Sequence, residues 1–252
     1  MDRKVDEKRY QEYLEGKRVI FVGPAPNMIG KELGEWIDSF DVTVRSNGAI
    51  FLLDNKDYRK DYGSKCNILY TNQQFAREVK AFNIDDWIMN WKLDFICNKS
   101  YKERHNTLYG DKVGIIGLEQ VGREVATKVK GALMGPIVLT HLLSYNPADI
   151  WFTGFDFYVS KPDVFQPGQY KEYFPGYLPE VITKKADIDN IGILDRHDQY
   201  TNTRYIYNLM QTGKVHTNPF IKEAMQKVMS NPDYYSVEGK KKRMNEAGVK
   251  IK

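Results

Sequence analysis

His197 opens the segment HDQYTNTRYIYNLMQ (197–211), with carboxylates at Asp195 and Asp198 on either side of it. An imidazole with a pKa near neutrality, oriented by a neighbouring carboxylate, is suited to take a proton from a substrate hydroxyl. A solvated histidine at a helix start has the same local sequence, so the residue types alone leave both readings open. The other histidines are weaker candidates. His105 falls in a polar stretch, His141 inside an apolar helical pattern and His216 near a late strand. The four are scattered too widely for metal-ligand spacing.

A second group of chemistry-bearing residues directly follows apolar runs. In VIFVGPAPN, Gly23 lets backbone approach a ligand closely, and the amides at the next helix start, beyond Asn27, favour an anion. The pattern is neither G-x-G-x-x-G nor G-x-x-x-x-G-K-[ST], and Pro24 and Pro26 remove donors that a dinucleotide loop needs. Asn47, in RSNG, and Asn72, after CNILYT, each offer an amide donor and acceptor. Such a pair suits the edge of a base or ribose hydroxyls, and an Asn-Gly turn has the same signature. In TGFDFY (153–158), Gly154 ends a buried run and Asp156 stands two residues on, either as a cap at a strand–loop junction or as a site carboxylate.

These residues need elements to hold them. Apolar β runs are expected at 19–22, 41–46, 66–71, 91–97, 112–117 and 148–158. Helices are expected at 28–38, around 49–61, at 73–81, over 119–145 with breaks at Gly131, Gly135 and Pro136, and at 197–211 and 219–229. Strand–helix alternation of this kind predicts an α/β fold: a mostly parallel, Rossmann-like sheet with helices on both faces, binding ligands beyond the carboxyl ends of its strands. Residues 1–17 read as an exposed amphipathic helix using Val5, Tyr10, Tyr13 and Leu14 for apolar contact. Residues 18–230 read as one catalytic domain with a Pro/Gly/Tyr-rich lid at about 159–195, and 231–252 as a basic tail.

Composition bounds the function classes. The 252 residues are 42% hydrophobic and 28% charged, as in a globular protein with a sizeable core. No run is long and apolar enough to span a bilayer, and residues 1–17 lack the apolar core of a signal peptide. Cys66 and Cys97 lie in apolar contexts without ligand spacing, which reads as buried thiols of a reducing compartment and a cytoplasmic protein. The net charge of +4 resides in residues 238–252, with six Lys/Arg against two Glu. That tail is either a solvated terminus or a contact for a polyanion such as DNA.

In order and spacing, three stretches resemble the motifs of the sialyltransferases, eukaryotic and bacterial. VIFVGPAPNMIGKELGEWIDSFDVTVRSNGAIF (19–51) is similar to the large sialyl motif, GALMGPIVLTHLLSYNPADIWFTGFDFY (131–158) to the small one, and HDQYTNTRYIYNLMQTGKV (197–215) to the C-terminal motif that carries the base. Together they span about three-quarters of the chain. The resemblance implies the sialyltransferase variant of the GT-A fold and an inverting, metal-independent transfer from a CMP-type nucleotide sugar, with no cofactor.

Residue by residue, the resemblance implies that Asn47 and Asn72 contact the cytidine nucleotide, that Gly23 and Asn27 line its phosphate side, and that Gly154 lets base and ribose lie against backbone. It further implies that Tyr158, with Tyr170 or Tyr173 from the lid, binds the leaving phosphate, and that His197 is the base. The chain departs from the family pattern at Lys130 and Met134, where Ser or Thr precedes each glycine, and at Asn202, where an acidic residue is usual. The sugar is left open, and the acceptor is a glycan or, in the alternative, a hydroxylated base in viral DNA. A nucleotide-binding module without catalysis is the reading from a different class.

Overall fold

Val19–Val22, Val42–Ser46 and Ile68–Thr71 are buried at every position, as strands must be when helices cover both faces of a sheet. The structure is a computed structural model and describes residues 3–72, 91–98, 113–159 and 197–246. The expected helix at 73–81, His105, most of the expected lid with Tyr170 and Tyr173, Asp195, and residues 247–252 lie outside those residues.

Seven strands form one sheet: β1 (Arg18–Val22), β2 (Val42–Ser46), β3 (Ile68–Thr71), β4 (Phe95–Asn98), β5 (Gly114–Gly117), β6 (Asp149–Thr153) and β7 (Val215–Thr217). Their order is β5-β4-β3-β2-β1-β6-β7 and every pairing is parallel. The α/β, Rossmann-like architecture expected from strand–helix alternation is therefore present. Phe21 sits in register with Val44 on one side and Phe152 on the other.

Alternation along β1 splits the core in two. Val19 and Phe21 join the cluster with Val44, Tyr70, Ile137 and Phe152, whereas Ile20 and Val22 pack with Met28, Ile37, Leu52 and Tyr62. Each such side chain contributes about 1.5–3 kcal/mol by leaving water.

Among the described residues the helices are α1 (Arg3–Leu14), α2 (Gly34–Asp38), α3 (Lys56–Tyr62), α4 (Glu119–Lys128), α5 (Met134–Leu143), α6 (Gln199–Met210), α7 (Pro219–Met229), α8 (Pro232–Tyr235) and α9 (Val237–Glu246). Short 3₁₀ segments cover Pro26–Met28 and Asn47–Leu53. Three expectations need correction. The helix expected at 28–38 shrinks to α2, because Gly30 and Glu32 adopt positive φ angles of 76° and 54° that no α-helix accepts. The first helix is not simply exposed: Tyr10 and Leu14 are wholly buried, and the Tyr10 hydroxyl lies 2.7 Å from that of Tyr70. The stretch 119–145 breaks around Gly131 as expected but not at Gly135 and Pro136, which stand in the first turn of α5, and the turn between α4 and α5 becomes part of the site.

Two further buried groups fix the sheet. Arg45, fully buried on β2, donates from Nη2 to Tyr62 O at 2.6 Å and from Nε to Lys65 O at 2.9 Å, tying the carboxyl end of α3 to the strand that leads into Asn47. Burial lowers its pKa to about 10, so it stays charged at neutral pH. His141 on α5 is buried, with Nδ1 2.8 Å from the Tyr70 hydroxyl; burial lowers its pKa to about 4 and keeps it neutral. Cys66 and Cys97 are unbridged and buried, with thiol pKa values pushed up by burial to about 12.

Candidate active site

β1 lies between β2 and β6, so connections leave the sheet in opposite directions at the carboxyl ends of β1 and β6. In a parallel sheet that is where a ligand crevice opens. Gly23 and Gly154 are the first residues past these two strands, and their backbones touch. A Cβ on Gly23 would meet Gly154 O at 2.3 Å, and a Cβ on Gly154 would meet Gly23 O at 2.3 Å. Gly23 N donates to Thr153 O at 2.8 Å and Ala25 N to Gly154 O at 2.9 Å, which extends the strand pairing into the loops. Chain–chain packing thus accounts for glycine at both positions.

The segment after β6 links the elements of the site. Asn27 Nδ2 donates to Phe155 O at 3.0 Å, Tyr158 N donates to Asp156 Oδ1 at 2.9 Å, and Gln199 Nε2 of α6 donates to Phe157 O at 2.6 Å. Phe157 and Tyr158 hold positive φ angles of 52° and 58°, a conformation L residues adopt only where contacts enforce it. The Asp156 and Gln199 bonds do so here. Burial first, and then the Asp156 charge, push the Tyr158 phenol up to about 12, so it remains a protonated donor at neutral pH.

The three asparagines differ in what they offer. Asn47, with φ of 48°, accepts from Asn72 N at 2.9 Å through Oδ1, bridging the ends of β2 and β3 and turning its Nδ2 donors to other use. Asn72 supplies that backbone amide. Asn27 is the reverse: its donor is taken by Phe155 O, and its Oδ1 is buried with no hydrogen-bond partner among the described residues. An amide in that state suits a hydroxyl or N–H better than a phosphate oxygen, because it presents a lone pair.

His197 immediately precedes α6, whose N-cap is Asp198. Its Nδ1 lies 2.7 Å from Gly131 O, in the turn between α4 and α5. A carbonyl only accepts, so Nδ1 carries the hydrogen of the neutral ring and Nε2 carries the lone pair. The expected orienting carboxylate is not Asp198: its Oδ1 accepts from Thr201 N at 2.7 Å and its Oδ2 from Val237 N at 3.2 Å. Capping takes both oxygens of Asp198, and among the described residues a backbone carbonyl holds Nδ1 of the imidazole, while Asp195 lies outside them.

Asn202, 1% exposed, holds that carbonyl in place. Its Oδ1 accepts from Leu133 N at 2.9 Å, while Nδ2 donates to Asp198 O at 2.6 Å and Gly131 O at 3.2 Å. Gly131, Gln199 and Asn202 escaped sequence reasoning as site residues. The break at Gly131 was visible, but nothing local says that its carbonyl meets a histidine 66 residues away. Of the other described histidines, His141 is a core residue and His216 stacks on Trp151 with ring centroids 5.3 Å apart.

Among the described residues, no cluster of three or more His, Cys, Asp or Glu side chains could hold a metal ion, and no helix is long and apolar enough to cross a membrane. No family model matches the chain, and no curated protein matches it. Among solved structures, the chain is similar to a mammalian sialyltransferase in complex with Gal-beta-1-3GalNAc-ortho-nitrophenol. The identity is 12% and the TM-score 0.49, over 82% of this chain and 71% of that one. A likeness of that size decides neither fold nor activity, so the functional reading rests on this chain's own residues.

Proposed function

We propose that the chain is an inverting glycosyltransferase that moves a sugar from a CMP-type nucleotide sugar to an acceptor hydroxyl, with His197 as base. The observation that carries the reading is the Nδ1–H donation from His197 to Gly131 O, which fixes the tautomer with a basic Nε2. In the transfer, the acceptor oxygen attacks the anomeric carbon as its proton passes to Nε2. The bond from that carbon to the phosphate oxygen breaks, and the nucleotide leaves with the electron pair.

The other roles follow from what each group can offer. Asn47 Nδ2 donates to a phosphate oxygen or a pyrimidine carbonyl. Asn27 Oδ1 accepts from a ribose hydroxyl or an exocyclic amine. Tyr158 stays protonated and donates to the departing phosphate, assisted by Tyr170 or Tyr173. Metal independence is part of the proposal, because charge on the leaving phosphate is met by tyrosine donors rather than by carboxylate-bound ions.

A glycan acceptor is better supported than DNA. Within α9, Lys240 is buried and Arg243 sits 3.6 Å over the Tyr234 ring while donating to Tyr234 O at 2.6 Å, so two of its four cations are engaged internally. The test is incubation of the protein with CMP-sugars and a glycan acceptor. Release of CMP with formation of a product of inverted anomeric configuration is expected. Nucleotide binding without turnover of any nucleotide sugar would favour a non-catalytic module and refute the proposal.

A further inference from the structure

Three contacts from the first turn of α9 reach the residues around His197. Lys240 Nζ donates to His197 O at 2.8 Å, Val237 N donates to Asp198 Oδ2 at 3.2 Å, and Glu238 pairs with Lys130, the neighbour of Gly131. Lys240 is only 5% exposed, whereas Lys241 and Lys242 beside it face solvent. Burying an ammonium is costly unless polar groups compensate it. Here a compensating oxygen belongs to the peptide of His197 itself.

We propose that α9 completes the active site and that Lys240 is a positioning residue for His197. The inference rests on the reading of His197 as base. Gly131 O holds the ring at Nδ1, and Lys240 holds the peptide carbonyl one bond from the same Cα. Fixing the carbonyl as well as the ring sets the direction of the Cα–Cβ bond and so the place where Nε2 is presented. Positioned groups lose much of their effect when displaced by about 1 Å. The basic segment near the carboxyl terminus thus acts inward, through one lysine, as well as presenting charge to solvent.

The test compares Lys240→Met, which keeps the stem and removes the donor, with Lys240→Arg, which restores one. Proton–nitrogen correlation spectra of the histidine rings, with His197 assigned through His197→Gln, report its tautomer without any need for turnover. In Lys240→Met the His197 ring is expected to leave the pure Nδ1–H form. Transfer kcat is expected to fall about ten- to a hundredfold with donor KM held within about twofold, and Lys240→Arg to recover most of both signals.

A second variant guards against misfolding. Val237→Pro removes the amide that reaches Asp198 Oδ2, at a first helical position where proline is tolerated, and Ser236 before it already has φ of −73° and ψ of 163°. It should shift the same ring in the same direction, by less. An unchanged His197 spectrum in folded Lys240→Met, or in Val237→Pro where Lys240→Met does not fold, overturns the proposal. A wild-type protein without transferase activity removes the catalytic reading, and the ring spectra then decide separately whether Lys240 holds His197.

Discussion

Gly23 and Gly154 meet backbone to backbone where β1 and β6 end, each occupying the space in which the other's Cβ would stand. Gly154 also has φ of 72°, which alanine adopts only at a cost of about 1–2 kcal/mol. Adding the overlap, Gly154→Ala should destabilise the protein by about 2–4 kcal/mol, and Gly23→Ala by about 1–3 kcal/mol. Urea unfolding measures both. Equal, near-zero losses would mean that the two loops do not touch.

His141 gives the fold a specific acid sensitivity. Its pKa falls from 6.5 to about 4 because burial disfavours the imidazolium, so the unfolded chain binds this proton more readily than the folded one. The contribution is fully present above about pH 6.5 and is lost as pH falls towards about 4, amounting to about 2 kcal/mol between pH 7 and 5. His141→Gln should remove that part of the pH slope. Parallel stability curves for the two proteins over this range would contradict the assignment.

Asn202 must be an amide, because its Nδ2 faces the carbonyls of Asp198 and Gly131. A carboxylate there would set negative charge against two oxygens in a buried place. Asn202→Asp should therefore cost about 2–4 kcal/mol and depress turnover by releasing the Gly131 carbonyl from its brace. Thermal denaturation and kcat measured on the same preparation test both halves; full activity at normal stability would show that the brace is dispensable.

The phosphate side of the reaction is tested by chelation together with Tyr158. Activity should survive EDTA undiminished. Tyr158→Phe should lower kcat by about a hundredfold or less through loss of one donor to the leaving phosphate. Strict dependence on added magnesium or manganese would contradict the tyrosine-based account.

The parts legible in the sequence were those set by local pattern. Runs such as Val19–Val22 and Val42–Ser46 announce buried parallel strands, and from their ends the positions of Gly23, Asn47, Asn72 and Gly154 follow. What escaped notice depends on contacts distant in sequence. The orienting partner of His197 is a backbone carbonyl, which every residue possesses, so no residue type could mark it. Of the two neighbouring carboxylates that sequence offered, Asp195 lies outside the described residues, and at Asp198 an N-cap position commits both oxygens to amides at Thr201 and Val237. Asn202, a departure from the family pattern when read as sequence, acquires a reason once the carbonyls around it are known. Lys240 was one lysine in a run of three, and only helical phase distinguishes the one that turns inward.

If His197 is the base, its replacement by alanine must show in transfer to an acceptor sugar, with CMP affinity measured alongside. Base catalysis by a positioned group is worth about a hundred- to ten-thousandfold. Turnover should fall by that order while CMP binds as before, because the imidazole serves the acceptor side of the reaction. Replacement of His216 should change stability at most. Near-normal turnover by a folded His197→Ala protein would contradict the account and turn attention to Asp156.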